Sequence, residues 1–363
     1  MFYVSTILAD NIFITDTTDN VIDNVSLLLL SKLGKTSIIK GVQSYENPAV
    51  CTVREVSGLE LMDDSNLMQA VISGNAVLPK FDISGKVLSK VQLPEKIRNC
   101  QVLRVPFGVE AIENFAFDWS CENVTTVILP PTIKKLETSA FSNLRNLRSF
   151  NIPHSLVQIE DAFFASLRSV ETIQIDEGCT SFKMINNGLY SGDGQVFYRY
   201  VDAKDVTEFV MLDTVTKICP SAFAYSANLK TLVLSKSLKE IGRGAFAGLS
   251  IESIQIPEGV TRVSPYMFGK CVKLKHISLP NSLRTIGDDA FNGCSALEEL
   301  RLPPYMTDIS KASLSYDGRR VNGGVLYGCS SLKKVYIPKA MRITNRNKYK
   351  RLGVSEATTV VTY

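Results

Sequence analysis

Two histidines, His154 and His276, are the only imidazoles in the 363-residue chain, and they limit the chemistry open to it. A His-based acid–base pair or a zinc site needs such side chains, or suitable partners, to converge. The repeat described below sets these two about five rungs apart and turns both away from the core. No Walker loop, dinucleotide fingerprint, paired CxxC pattern or nucleophile elbow occurs. IGRGAFAG has closely spaced glycines, but they fall in the turn of a repeat. Asp193, between Gly192 and Gly194, is one carboxylate where a calcium cage needs several, and an Asp-Gly turn accounts for it. The sequence therefore predicts no catalytic residue, no metal ligand and no cofactor.

Cysteine is the other candidate for chemistry, with eight in the chain. Cys271, Cys294 and Cys329 occupy the place that Leu144, Leu167 and Leu249 fill in other repeats. A position that accepts either Leu or Cys is an apolar core position, where a free thiol behaves as a small hydrophobe. Buried thiols are the first expectation, and one bridge between Cys271 and Cys294 is the alternative.

These positions are set by a repeat whose clearest copy, residues 274–296, reads LKHISLPNSLRTIGDDAFNGCSA and restarts 23 residues on at Leu297. Neither a 3.6-residue spacing nor simple alternation explains its apolar set, so the unit reads as strand, turn, strand and short helical turn. Ile277 and Leu279 point inward, and His276 and Ser278 outward. One such unit buries too little apolar surface to offset the ordering of its backbone, so it folds only by stacking on neighbours. Stacking aligns Phe117, Phe141, Phe163, Phe223, Phe246, Phe268 and Phe291 in an interior column, with Leu314 in the corresponding later place.

The predicted fold is a repeat solenoid of about ten rungs, with short strands and short helical turns and a mixed α+β N-terminal cap. Residues 1–88 form the cap or attachment domain, with FYVSTI and NIFIT as strands and helices at residues 21–34 and 66–73. Residues 89–340 form the array, with insertions near 181–201 and 315–328, and residues 341–363 a C-terminal cap. The first insertion, with its Asn-Gly and Asp-Gly turns, predicts a projecting β-hairpin.

Without a catalytic set, the outward strand residues are the candidates for function. Most are small and uncharged: Thr231, Ser253, Gln255, His276 and Ser278 on successive rungs. Phe209, Met211 and Val233 make an apolar island among them, either exposed for a partner or covered by the hairpin through Phe197, Tyr198 or Tyr200. Together these eight form the predicted partner-binding set. Farther along, the outward residues become Glu299, Arg301, Lys334 and Tyr336, followed by a basic stretch from Lys339 to Arg351 that reads as a solvated cap.

A 45% apolar and 21% charged composition describes a folded chain, and a net charge of +4 is too weak to imply nucleic acid. No apolar run is long enough for a membrane span. The start, MFYVSTILADN, lacks the basic region and long apolar core of a secretory signal.

The phrases SLKEIGRGAFAGL, SLRTIGDDAFNGCSALEEL and VTKICPSAFAYSANLKTL, with the insertion GLYSGDGQVFYRY, resemble the BspA-like leucine-rich repeat family. The resemblance covers residues 90–340 and implies that the solenoid is a leucine-rich-repeat horseshoe, surface-exposed and associated with adhesion to host or bacterial proteins. It carries no catalytic residues. The expected function is a non-enzymatic protein-interaction or adhesion module with a protein partner. The alternative is a structural component of a larger assembly, a virion or surface layer, held through residues 1–88. The resemblance implies the cell surface or exterior, while the absence of a visible signal leaves an intracellular or virion-associated placement open.

Overall fold

Each repeat spends its backbone hydrogen bonds on its neighbours, and this fixes the architecture. The computed structural model describes residues 2–8, 11–16, 80–93, 95, 98–105, 108–306, 308–309, 324–341, 352–354 and 357–363. Two units follow from the contacts within the chain, Met1–Phe182 and Lys183–Tyr363.

In the first unit, the two predicted strands form as Phe2–Leu8 and Asn11–Asp16, and they pair antiparallel. The two predicted N-terminal helices lie outside the described residues. Lys80–Ser84 turns back on Val87–Gln92, and that strand starts a parallel series through Ala111–Ile112, Lys135–Leu136 and Gln158–Ile159. The other strand of each repeat builds a second parallel sheet: Val102–Arg104, Thr126–Ile128, Ser149–Ile152 and Thr172–Ile175. Both sheets send alternate side chains inward, and the interior contains Phe117, Phe141 and Phe163 with ring centroids 5.1 and 5.0 Å apart. These aromatics supply the largest buried side chains, each worth about 2–3 kcal/mol of burial.

The second unit repeats this plan. Its outward-facing strands are Glu208–Val210, Thr231–Val233, Ser253–Gln255, His276–Ser278, Glu299–Arg301, Lys334–Ile337 and Thr359–Thr362. The shorter series runs from Lys217–Ile218 and Glu240–Ile241 to Arg262–Val263, Thr285–Ile286 and Asp308–Ile309. The predicted hairpin forms, Gly188–Ser191 antiparallel to Val196–Tyr200, but it does not project. Val196–Phe197 pairs parallel with Lys217–Ile218, so the insertion is built into the sheet. Phe197 then stacks on Phe223 at 4.7 Å and heads the column that continues through Phe246, Phe268 and Phe291. Leu314 lies outside the described residues.

Where short helices were predicted, described 3-10 turns occur at Trp119–Cys121 and Phe163–Ser166. In most other rungs the same place is a turn that forms a third ladder. The amides of Phe223, Phe246, Phe268 and Phe291 donate forward to Ala245, Met267, Ala290 and Val325. The amides of Tyr225, Gly248, Lys270 and Gly293 do the same two residues later, and all four residues have left-handed backbones, with φ between 61° and 77°. That conformation aims their N–H groups along the stack; a non-glycine residue held there stores modest strain.

The cysteines fill their predicted core places. Cys271, Cys294 and Cys329 donate to the carbonyls of Phe246, Phe268 and Phe291 at 3.0, 3.1 and 3.2 Å, and every described cysteine is a free thiol. Contact with the neighbouring Cys271 and Cys329 thiols, together with burial, pushes the Cys294 thiol upward. Burial pushes Cys121 up to about 12. Since the thiolate is the reactive species, N-ethylmaleimide at pH 8 should leave Cys121 and Cys294 unlabelled in the native protein and modify both in urea, as mapped by peptide mass spectrometry. Native labelling of Cys294 at the rate of an exposed thiol would show that this column is open.

Candidate functional site

The alternation of the outward strands in the second unit decides which side chains reach solvent. Ser253 is in register with His276 and Gln255 with Ser278, so all four stand on one face while Ile254 and Ile277 turn toward the core. Thr231 and Val233 stand on the same face of their strand, with Leu232 buried between them. These six residues occupy the predicted outward positions.

Phe209 and Met211 do not. They are only 2% and 3% exposed. Register places Phe209 opposite the buried Leu232, so the outward residues of this strand are Glu208 and Val210. A one-residue shift of a strand exchanges its faces, and that is the error in the sequence assignment. Two of the three side chains assigned to the apolar island are instead core, with Phe197 and Tyr200 packed on Phe209 at 5.6 and 5.1 Å. The hairpin covers Phe209, and the exposed apolar pair is Val210 and Val233, which lie side by side.

A depression of about 410 Å³ crosses this face, lined by residues 230–232, 253–255 and 276–278. Its floor includes Leu232, Ile254 and Ile277, and its walls carry Lys230, Thr231, Ser253, Gln255, His276 and Ser278. The outward sheet is paired as Glu208–Val210 with Thr231–Val233 and as Ser253–Gln255 with His276–Ser278, with no ladder between the two pairs. The depression sits over that interruption.

The polar groups here differ from their counterparts in the first unit. There, Thr126 and Ser149 hydroxyls bond each other at 3.0 Å, and the Asn151 amide both donates to the Leu129 carbonyl and accepts from its amide. Glu110 holds both Lys134 and Lys86, whose ammonium groups keep its carboxyl below the usual range. In the depression, the side chains of Thr231, Ser253, Gln255, His276 and Ser278 make no hydrogen bond to any described residue. Lys275 and Glu252 pair at its margin at 3.0 Å, and Lys275 holds the Glu252 carboxyl down. Lys230 has no such partner among the described residues.

Other candidate chemistry resolves into structure. Asp193 closes the hairpin turn, accepting from the Ser191 hydroxyl at 2.6 Å and the Gln195 amide at 2.9 Å, which lower its pKa. His154 and His276 belong to different units, and both are exposed. Among the described residues, no three His, Cys, Asp or Glu side chains form a set able to hold a metal ion. No described helix is long and apolar enough to cross a membrane. Sequence reasoning missed Val210, which a corrected register would have supplied. It also missed the aromatic contacts of Arg301, which depend on the distant Tyr363.

The repeat, its two strand series and the stacked phenylalanines define a leucine-rich-repeat β-solenoid. The chain belongs to the family of BspA type leucine rich repeat regions, whose model matches six copies over residues 88–191 and 196–319. Solved structures similar to it include a leucine rich cell surface protein from Faecalibacterium prausnitzii, 21% identical, with a TM-score of 0.49 and coverage of 72% of this chain and 59% of that one. Others are a leucine-rich repeat protein from Bacteroides ovatus (21% identical, TM-score 0.45, covering 78% and 75%) and the pneumococcal vaccine antigen PcpA (21% identical, TM-score 0.45, covering 70% and 71%). The chain thus spans 59% of the length of the Faecalibacterium protein. No curated protein matches it in sequence.

Proposed function

We propose that this chain is a non-enzymatic protein-binding module that receives an extended segment of a protein partner in the depression on the outward sheet of its second unit. The observation that carries this is the row of five polar side chains with no hydrogen bond to any described residue, Thr231, Ser253, Gln255, His276 and Ser278, over an apolar floor. Such a surface offers donors and acceptors to a polypeptide backbone and buries small apolar side chains beneath it. Val210 and Val233 extend the apolar contact at one margin.

A photo-crosslinking residue in place of Ser253 tests this against the same residue in place of Val272, which is exposed in a turn away from the outward strands. With lysate from source or host cells, a saturable protein adduct is expected at position 253 and not at 272. Unlabelled wild-type chain should compete it, whereas a chain blocked by Gln255→Trp and Ser278→Trp should not. Equal labelling at both positions, or equal competition by the blocked chain, removes the depression as the binding surface.

A further inference from the structure

Arg301 stands outward at the place in its rung that Ser278 holds in the preceding one, and its guanidinium packs on two tyrosine rings. Its central carbon is 4.7 Å from the Tyr336 ring centroid and 4.6 Å from that of Tyr363. Neither ring is loose. Tyr336 is held in a strand in register with Arg301, and Tyr363 donates its hydroxyl to the Leu302 carbonyl and its amide to that of Ile337. The nearby acidic groups are committed elsewhere: Glu299 faces Lys334 at 4.0 Å, and Glu298 holds Lys333 at 2.7 Å. Arg301 has no carboxylate within ion-pair distance among the described residues.

An arginine packed on two held aromatic rings loses little conformational freedom on binding, and N–H donors not facing the rings remain available. That fork matches a carboxylate through two parallel hydrogen bonds. The same row of the sheet runs back through Ser278 and Gln255 to Val233. Three rungs separate Val233 from Arg301, a distance of at least about 15 Å at 4.8 Å per paired strand and the reach of about four to five residues of extended chain.

We infer that Arg301 is the anchor for an aspartate or glutamate side chain of the partner segment, with an apolar residue about four to five positions away seated on Val210 and Val233. The inference rests on the proposed binding surface and adds the chemical character of what it receives: an extended protein segment with an apolar residue and an acidic residue at that spacing. Charge complementarity supports it, because this preorganised cation has no carboxylate partner among the described residues while Lys333 and Lys334 beside it are matched.

The experiment pans the full chain against a phage-displayed library of linear twelve-residue peptides. Recovered peptides are resynthesised with blocked ends and measured by calorimetry, and the crosslinker at position 253 reports where they bind. Peptides that label position 253 are expected to carry Asp or Glu at a constant distance from an apolar residue. Their affinity should fall about tenfold or more with Arg301→Met, and equally when the peptide acid is changed to its amide. The two changes together should cost no more than either alone. If Arg301→Met disturbs folding, Arg301→Lys retains the charge without the planar fork, and a severalfold loss is expected.

Peptides that label position 253 but show no acidic preference and bind Arg301→Met equally well would overturn the anchor and leave the binding surface standing. Peptides that bind without labelling position 253 would overturn both, and recovery of no peptide would overturn an extended segment as the occupant. Displacement of the acidic peptides by equimolar free sialic acid or inorganic phosphate would assign Arg301 to a different class of anion.

Discussion

Phe246→Ala is expected to destabilise the second unit by about 3–5 kcal/mol, measured as a loss of unfolding free energy in urea followed by far-ultraviolet circular dichroism. Phe246 is fully buried, between Phe223 at 5.8 Å and Phe268 at 5.4 Å. Truncation removes the contacts of its own rung and one wall of each neighbouring rung. In a stacked array, a repeat's stability resides largely in such interfaces, so the loss cannot be confined to one unit of the stack. Rung backbones are tied by hydrogen bonds such as Phe246 N to Met267 O at 3.0 Å, which restrict collapse into the cavity and place the cost at the upper part of the range. Phe246→Leu retains most of the volume and should cost markedly less. Equal effects of the two substitutions would mean that the column depends on the aromatic rings themselves rather than on the volume they fill.

The phenylalanine column was legible because its 22- to 23-residue spacing from Phe223 to Phe291 leaves one place in the rung for a large apolar side chain. The cysteine column was legible for the same reason, since Cys294 alternates with Leu at an equivalent position. Phe209 was misplaced because Phe209, Val210 and Met211 are three apolar residues in succession, and alternation has no phase to offer in such a run. Only pairing with Thr231–Val233 settles which of them faces solvent. The hairpin was legible as a hairpin from its turns, but its parallel pairing with Lys217–Ile218 is a nonlocal contact that turn chemistry does not encode. Of the candidate site, the polar residues Thr231, Ser253, Gln255, His276 and Ser278 followed directly from strand alternation. The interruption of the sheet beneath them and the packing of Arg301 on Tyr336 and Tyr363 depend on geometry between rungs.

One such coupling between rungs left a mark in the sequence. Pro220 and Pro265 follow the short strands Lys217–Ile218 and Arg262–Val263, and the next rung in each case carries a glycine, Gly242 and Gly287. A methyl group on Gly287 would lie 2.7 Å from the Pro265 nitrogen, 2.8 Å from its Cδ and 3.0 Å from its Cγ. On Gly242 it would meet the Pro220 nitrogen most closely, with the Cys219 carbonyl carbon at 2.7 Å and the Pro220 Cα at 2.8 Å. Neither glycine has a positive φ, so its role is to admit the preceding rung's backbone and ring rather than to adopt an unusual conformation. Gly287→Ala should therefore destabilise by about 1–3 kcal/mol or more, because the ladder bond from Gly287 to Val263 at 2.8 Å opposes separation of the rungs. The two clashes also differ in kind. Two of the three closest atoms at Gly287 are side-chain carbons of the proline, whereas all three at Gly242 are backbone. In a double-mutant cycle, Pro265→Ala should recover much of the loss caused by Gly287→Ala, while Pro220→Ala should recover little of that caused by Gly242→Ala. Urea denaturation of the single and double variants measures both coupling energies. Equal rescue at the two sites would show that the proline rings, rather than the backbone spacing between rungs, require both glycines.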